Sequence, residues 1–149
     1  MNDAQKEFVL HVLQTAKDLT LATVRPDGYP QATTVSFAHD GLAIYIGVGQ
    51  NSQKARNIRQ NNKVSLTVNL DYDDWNHIKG LSMAATAKIL SDPEEIRRAG
   101  ECIIKRFPQV EQWAKTGALN DTALIKLIPG VISLLDYEKG FGHTELVTV

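Results

Sequence analysis

The chain has 149 residues, of which 43% are hydrophobic and 22% are charged, and its formal net charge is -1 with histidine neutral. This length is typical of one domain, and the apolar content excludes intrinsic disorder as the main state. The near-neutral charge gives no indication of nucleic acid or an anionic membrane as a partner. We therefore expect a single globular domain over residues 1–149.

Cysteine content and hydropathy indicate in which cellular compartment the protein is expected. The only cysteine, Cys102, cannot form an internal disulfide, which fits a reducing environment. No apolar run reaches the length of roughly 18 residues that a membrane span needs. The first residues carry acids where a signal peptide is basic and then apolar. These observations predict a cytoplasmic protein without a membrane partner.

The first third of the chain predicts a helix followed by strands. Residues 3–17 carry apolar side chains at helical spacing. Short β-branched segments follow at 19–24, 31–38 and 42–48, separated by turns that contain Asp-Gly. Consecutive strands joined by tight turns predict an antiparallel meander.

The rest of the chain adds further strands and short helices. The sequence next predicts a helix capped by Ser52 and then strands at 64–70 and 78–90. A helix that begins at Asp92 and a short helix around Trp113 follow. The last predicted elements are strands at 123–128 and 131–137, separated by Pro129 and Gly130, and an extended tail. Because most strands are consecutive, we expect a closed antiparallel barrel of six or seven strands with peripheral helices. The helical pattern around Trp113 predicts that this side chain lies in the core.

Metal binding and nucleophilic catalysis have little support in the sequence. The four histidines lack HExxH spacing, and no CxxC is present. The acidic segment 71–74 lacks a calcium loop's Gly and Glu, because Asn76 and Ser82 stand at those positions. Cys102 lies beside two isoleucines, which favours a buried, inert thiol. We therefore predict no metal site and identify no catalytic residue.

Phosphate binding has the best local signal. The segment 47–58 predicts a strand, a glycine-containing loop and the start of a helix. Helix N-termini present unpaired N–H groups and partial positive charge to phosphate. Ser52 offers a hydroxyl there, and Lys54 offers a full positive charge. Since the loop completes neither GxxxxGK[ST] nor GxGxxG, a capped surface helix with solvated basic residues remains the alternative.

Two aromatic residues on predicted loops are further candidates. Trp75 lies in a polar segment next to His77, and Phe141 lies between two glycines in the tail. Exposed aromatic side chains on such segments suit a planar ligand or a partner surface. Ordinary packing at the end of the barrel is the alternative.

Taken together, these segments resemble the pyridoxamine 5'-phosphate oxidase-like FMN-binding split-barrel superfamily. The resemblance covers roughly residues 5–143 and depends on three motifs in order: the T-x-x-x-DG-x-P hairpin, S-x-K-x-x-N-I and N-x-x-V-S-L. The tail LLDYEKGFGH is similar to small bacterial members of the general-stress type.

This resemblance implies a mainly β fold, a six-stranded antiparallel split β-barrel with peripheral helices, and a homodimer with FMN at its interface. It also implies which residues bind the cofactor. Ser52 and Lys54 would bind the phosphate, and Trp75 would reach the flavin edge, as would Phe141 from the partner chain. The strand along the flavin would contribute Thr33, Thr34 and Val35, and the neighbouring strand would contribute Tyr45, Ile46 and Gly47.

Two departures disfavour oxidation of pyridoxamine phosphate. Gln53 stands where the oxidases usually carry arginine, and no arginine follows Arg106, although the oxidases hold the substrate phosphate with C-terminal arginines. The prediction is an FMN-dependent oxidoreductase that moves hydride or electrons between a nicotinamide donor and a small-molecule acceptor. No residue stands out as its general acid; His143 or His77 could serve, and a structural or solvated role is the alternative for each. The alternatives are a non-catalytic flavin-binding or stress-related module, and a split-barrel protein that uses deazaflavin or haem, the latter bound through His143.

Overall fold

The computed structural model describes residues 1–149 and begins with helix α1 (Asp3–Thr15). The Asn2 side chain accepts a hydrogen bond from the Gln5 amide, and the Gln5 side chain accepts one from the Asn2 amide. This reciprocal capping box satisfies two of the free N–H groups at the start of the helix. Val9, Val12 and Leu13 on the apolar face of α1 are fully buried, as the spacing predicts, and Phe8 and Ala16 are partly buried beside them.

Eight strands form one antiparallel sheet, so the mainly β class is confirmed, although the resemblance implies six strands. The strands are β1 (Asp18–Val24), β2 (Pro30–Ser36), β3 (Ala38–Asp40), β4 (Ala43–Gly49), β5 (Lys63–Asn69), β6 (Lys79–Ile89), β7 (Thr122–Asp136) and β8 (Thr144–Thr148). The other helices are α2 (Gln53–Gln60), α3 (Pro93–Arg106) and α4 (Val110–Lys115), with 3-10 turns at Trp75–His77 and Tyr137–Lys139. The short β3 and the tail strand β8 are the additional strands.

The strand order is β2-β1-β5-β6-β7-β4-β3, with β8 on the free side of β7. The sheet curls until β2 and β4, near its two ends, come into contact, which gives the expected split barrel. The predicted meander is wrong beyond the β1–β2 hairpin, because β4 pairs with β7 and not with β2. Consecutive burial of Phe37 and Ala38 interrupts the alternation of β2, so the chain bends inward and joins the other end of the sheet.

The expected break at Pro129 and Gly130 does not occur, because β7 runs without interruption from Thr122 to Asp136. The register against β6 shifts between Ala84 and Ala85, which pair with Val131 and Pro129 and leave Gly130 without a partner. A β-bulge of this kind accommodates a proline that cannot donate to the ladder. The strand therefore bends at the Pro-Gly pair and does not end there.

The core lies between the concave face of the sheet and helices α1 and α2. Twenty-three buried residues form one cluster there, and alternating burial along β1 and β5 supplies much of it. A second, small cluster of Tyr45, Leu90 and Ala99 lies beneath α3 on the other face. None of the helices has the length and apolar character needed to cross a membrane.

One fully buried polar side chain, Asn57 of α2, joins that helix to the β1–β2 hairpin. Its amide nitrogen donates to Thr23 Oγ1 at 3.0 Å and to Gln31 Oε1 at 3.3 Å. Its oxygen accepts from Gln53 Nε2 at 2.8 Å. Because buried polar groups are costly when unpaired, this amide fixes both the position and the rotation of α2.

We expect Asn57→Leu to lower the free energy of unfolding by about 2 kcal/mol, because it leaves the buried partners of the amide without a hydrogen bond. Urea denaturation with linear extrapolation measures the loss. Asn62→Leu is the matched control, since Asn62 is exposed and its side chain makes no hydrogen bond. Equal stability of the two variants would contradict the role of the Asn57 amide.

Candidate cofactor-binding site

The gap in the split barrel leaves two strand edges without partners. β2 pairs only with β1, so its outer edge is free. β3 covers β4 only at residues 43–45, so the edge of β4 from Ile46 to Gly49 is also free on that side. Backbone N–H and C=O groups on free edges can bind a ligand. α2 follows directly after β4 and begins at this gap.

Ser52 caps α2, as the sequence predicts. Its hydroxyl accepts from the Ala55 amide at 3.2 Å and donates to the Gly49 carbonyl at 2.7 Å. The next two amides, of Gln53 and Lys54, donate to no acceptor in the chain. The N-terminus of α2 therefore presents free N–H groups and the positive end of the helix dipole.

Lys54 extends from this helix start onto β2. Its Nζ donates to Thr33 Oγ1 at 3.0 Å, so two of the predicted site residues, 21 positions apart in the sequence, are in direct contact. Asn57, three residues later on the same face of α2, contacts Gln31, two residues earlier on β2. The buried Asn57 amide thus holds α2 in the orientation that directs Lys54 to Thr33.

The other predicted residues of β2 and β4 differ in whether their side chains are accessible to a ligand. Thr34 is exposed on one face of β2, and Val35 is half-buried on the other. Tyr45 is buried beneath α3, where burial raises the pKa of its phenol, and Ile46 belongs to the barrel core. Neither side chain is therefore available to a ligand at the gap, and of the two residues only Ile46 has its backbone on the free edge.

Gly47 also offers only its backbone at the free edge of β4. A Cβ at this position would lie 3.3 Å from Thr122 Cγ2 on the neighbouring strand β7. A larger residue would therefore require a shift of that side chain.

Trp75 and Phe141 come together at a different place. Their rings stack with centroids 6.1 Å apart, and Tyr137 packs edge-on against Phe141 at 5.6 Å. Side chains of the two 3-10 turns also meet, since Glu138 pairs with Lys79 and with His77. The hydrogen bond from Lys79 lowers the pKa of the Glu138 carboxyl. No hydrogen bond or ring contact joins this aromatic group to Lys54 within one chain.

The two candidate general acids are both engaged elsewhere. His143 Nε2 lies 3.1 Å from Glu145 Oε1, and His77 lies 3.5 Å from Glu138 and 3.7 Å from Asp74. Hydrogen bonds from His143, Gln5 and Lys139 lower the pKa of Glu145 to about 2. No group of three or more His, Cys, Asp or Glu side chains is arranged to hold a metal ion. Neither histidine is therefore hydrogen-bonded to Lys54 or Thr33.

Sequence reasoning assigned no role to Asn57, although it lies in the quoted S-x-K-x-x-N-I motif. The available signal was an asparagine between apolar positions of an amphipathic helix, where a polar residue is expected only if its hydrogen bonds are satisfied. The pattern around Trp113 was misleading, because this side chain is 51% exposed and not in the core.

Comparison with known proteins gives relatives of the same fold. General stress protein 26 of Bacillus subtilis is 34% identical over 89 residues, which make up 60% of this chain and 62% of that protein. A conserved hypothetical protein of Mycobacterium tuberculosis is 28% identical with a TM-score of 0.75, over 97% of this chain and 91% of the other. A haem-binding protein of Mycobacterium smegmatis has a TM-score of 0.82 at 16% identity, over 99% of this chain and 59% of the other.

This chain thus spans less than two thirds of the stress protein and of the haem-binding protein. At 16% identity, the likeness to the haem-binding protein shows a shared fold alone. The model of the pyridoxamine 5'-phosphate oxidase family matches residues 3–135, which include every strand from β1 to β6 and nearly all of β7. The chain therefore belongs to the pyridoxamine 5'-phosphate oxidase family.

Proposed function

We propose that the protein is a cytoplasmic FMN-binding oxidoreductase that moves hydride or electrons between a nicotinamide donor and a small acceptor. The observation that carries the proposal is the contact of Lys54 Nζ with Thr33 Oγ1 at the start of α2, beside two free strand edges. A bound flavin supplies the redox chemistry, whereas the chain supplies binding, orientation and electrostatics.

The residues at the gap fit a flavin phosphate by their chemistry. Lys54 contributes a full positive charge, and the free amides of Gln53 and Lys54 contribute neutral donors. The free backbone edges of β2 and β4 border the same gap and can orient a planar ring. Gln53 adds no charge because its side-chain amide is neutral, and that amide already bonds to Asn57 and Arg56. Lys54 is therefore the principal phosphate ligand of this proposal.

The proposed site is shared between two copies of the chain. Within one chain, Trp75 and Phe141 make no contact with the Lys54 region, yet they are 65% and 74% exposed. Leu146 on β8 is 76% exposed as well. Large apolar side chains exposed to this extent favour burial against a partner. A homodimer would cover them and can bring the aromatic pair of one copy towards the cofactor of the other.

Haem is the second candidate, because the Mycobacterium smegmatis protein of the same fold binds it. An iron ligand needs a free imidazole nitrogen. His143 Nε2 lies 3.1 Å from Glu145, and the two ring nitrogens of His39 contact Gln14 and Gly41. The contact with Glu145 leaves Nδ1 of His143 available to iron, so the preference for flavin rests on Lys54 and the free amides of α2, which suit a phosphate. Pyridoxamine phosphate is disfavoured as substrate because no arginine follows Arg106.

Lys54→Ala should raise the Kd for FMN by at least about tenfold, because it removes a charge-assisted contact to the phosphate. Titration of flavin fluorescence gives the Kd. Lys63→Ala is the matched control, since Lys63 is an exposed lysine at the start of β5 whose side chain has no partner. Unchanged FMN affinity in Lys54→Ala would overturn the assignment of the phosphate site.

Protein mixed with FMN and then freed of excess should retain the absorption bands of oxidised flavin. Anaerobic addition of NADH or NADPH should bleach them, because the proposed reaction reduces the flavin. Flavin that is retained but not bleached by either donor would favour the non-catalytic module. Retention of haem in place of flavin would favour the second candidate.

Sedimentation velocity at micromolar concentration should show a dimer, because the exposed aromatic and apolar side chains need a partner surface. Phe141→Ser should shift the equilibrium towards monomer, and Tyr29→Ser, at an exposed aromatic in the β1–β2 turn, should not. A monomeric wild-type protein at that concentration would rule out the shared site.

A further inference from the structure

A cavity of about 420 Å³ lies beneath α3 and α4, against the end of β6 and the start of β7. We call it the aliphatic cavity, because none of its hydrophobic lining residues is aromatic. The two helices pack loosely over it, since of α3 only Ala99 is buried and α4 has no buried residue. A volume of about 300–1,000 Å³ is typical of small-molecule sites. The aliphatic walls include Ile89, Leu90, Ile96, Ile104, Leu119 and Ala123.

A glycine in the middle of α3 enlarges this cavity. Gly100 lines it, and a Cβ added to Gly100 would meet no atom of another element within 4 Å. Glycine in the interior of a helix is less favourable than alanine, because it costs more backbone entropy on folding. No neighbouring side chain or backbone requires a glycine at this position. The space beside Gly100 is therefore available to a molecule other than this chain.

One cation stands in the wall of the aliphatic cavity. Arg59, in the last turn of α2, is its only charged lining residue. The guanidinium of Arg59 is exposed and makes neither an ion pair nor a hydrogen bond within the chain. The remaining polar lining residues, Gln50 and Thr122, are neutral. Arginine pairs readily with carboxylates, and an exposed guanidinium binds one without removing it from water.

We propose that the aliphatic cavity binds a medium-chain fatty acid, with the hydrocarbon chain beneath α3 and α4 and the carboxylate on Arg59. An acyclic chain matches walls that offer neither aromatic surface nor an interior charge. No residue of β2 or β4 lines the cavity, and Arg59 lies in the last turn of α2, whereas Lys54 lies in the first. The carboxylate and the flavin phosphate would therefore bind at opposite ends of α2. This proposal does not rest on the proposed function.

Isothermal titration calorimetry of the full chain with hexanoate, octanoate and decanoate tests the proposal, at concentrations below those at which they form micelles. We expect saturable binding whose affinity rises about fourfold for each added methylene group, because each one leaves water for the cavity. Decylammonium, which has the same chain length and a positive head, should bind at least about tenfold more weakly than decanoate. Affinity independent of chain length would overturn the proposal, as would equal binding of the two ten-carbon ions.

Arg59→Gln should weaken decanoate binding by at least about tenfold, because it removes the charge that pairs with the carboxylate. Arg98→Gln is the matched control, since Arg98 is an exposed arginine of α3 that has no ion pair and does not line the cavity. Circular dichroism checks that both variants fold. Equal decanoate affinity of the two variants would contradict the assignment of the carboxylate to Arg59.

A second pair of variants fills the cavity from α3. Gly100→Leu should weaken decanoate binding by at least about tenfold, because its side chain would occupy the space that the hydrocarbon chain needs. Gly100→Ala should keep most of the affinity, since it adds only a Cβ. Both variants should have a higher Tm than the wild type, because a helix interior favours either residue over glycine. Equal decanoate affinity of the two variants would overturn the proposal, as would a lower Tm for Gly100→Leu.

Repeating the decanoate titration with excess FMN separates this site from the cofactor site. Unchanged decanoate affinity supports two distinct sites. Competition between FMN and decanoate would show that the cavity belongs to the cofactor and would overturn the proposal. Decanoate binding by a protein that does not bind FMN would leave this proposal intact and remove the proposed function.

Discussion

The buried amide of Asn57 is the contact on which the candidate site depends. It bonds to Thr23 and Gln31 on the β1–β2 hairpin and to Gln53 on its own helix, and Asn57 itself is fully buried. Leaving a buried amide without a hydrogen-bond partner would destabilise the fold by more free energy than a surface hydrogen bond contributes. Helix α2 therefore has one favourable position on the hairpin. In that position the Lys54 side chain reaches Thr33 on β2.

The curled sheet supplies the second half of the site. Because β3 covers only part of β4 and β2 has a single neighbour, the two strand edges at the gap remain available to a ligand. The outer face of the same sheet is closed less tightly, since α4 contributes no buried residue.

Many elements were predictable from local patterns. The apolar spacing of α1, the cap at Ser52, the proline at the start of α3 and the alternation along β5 each depend on neighbours in sequence. The family was predictable too, because its motifs are local and occur in a fixed order. The contact of Lys54 with Thr33 was not predictable from spacing, since it depends on how α2 packs across the hairpin. The exposure of Trp113 was not predictable either, because helical spacing identifies the apolar face of a helix but not the residues that pack against it.

The sequence by itself determined most of the helices and strands, the family and the positive charge at the start of α2. The tertiary structure alone decided three things: that β4 pairs with β7, that the Pro-Gly pair is a bulge within one long strand, and that a cavity remains beneath α4. The physical reason is the same in each case. Strand pairing, bulges and packing depend on contacts between residues far apart in sequence, whereas propensity, capping and periodicity act over a few residues.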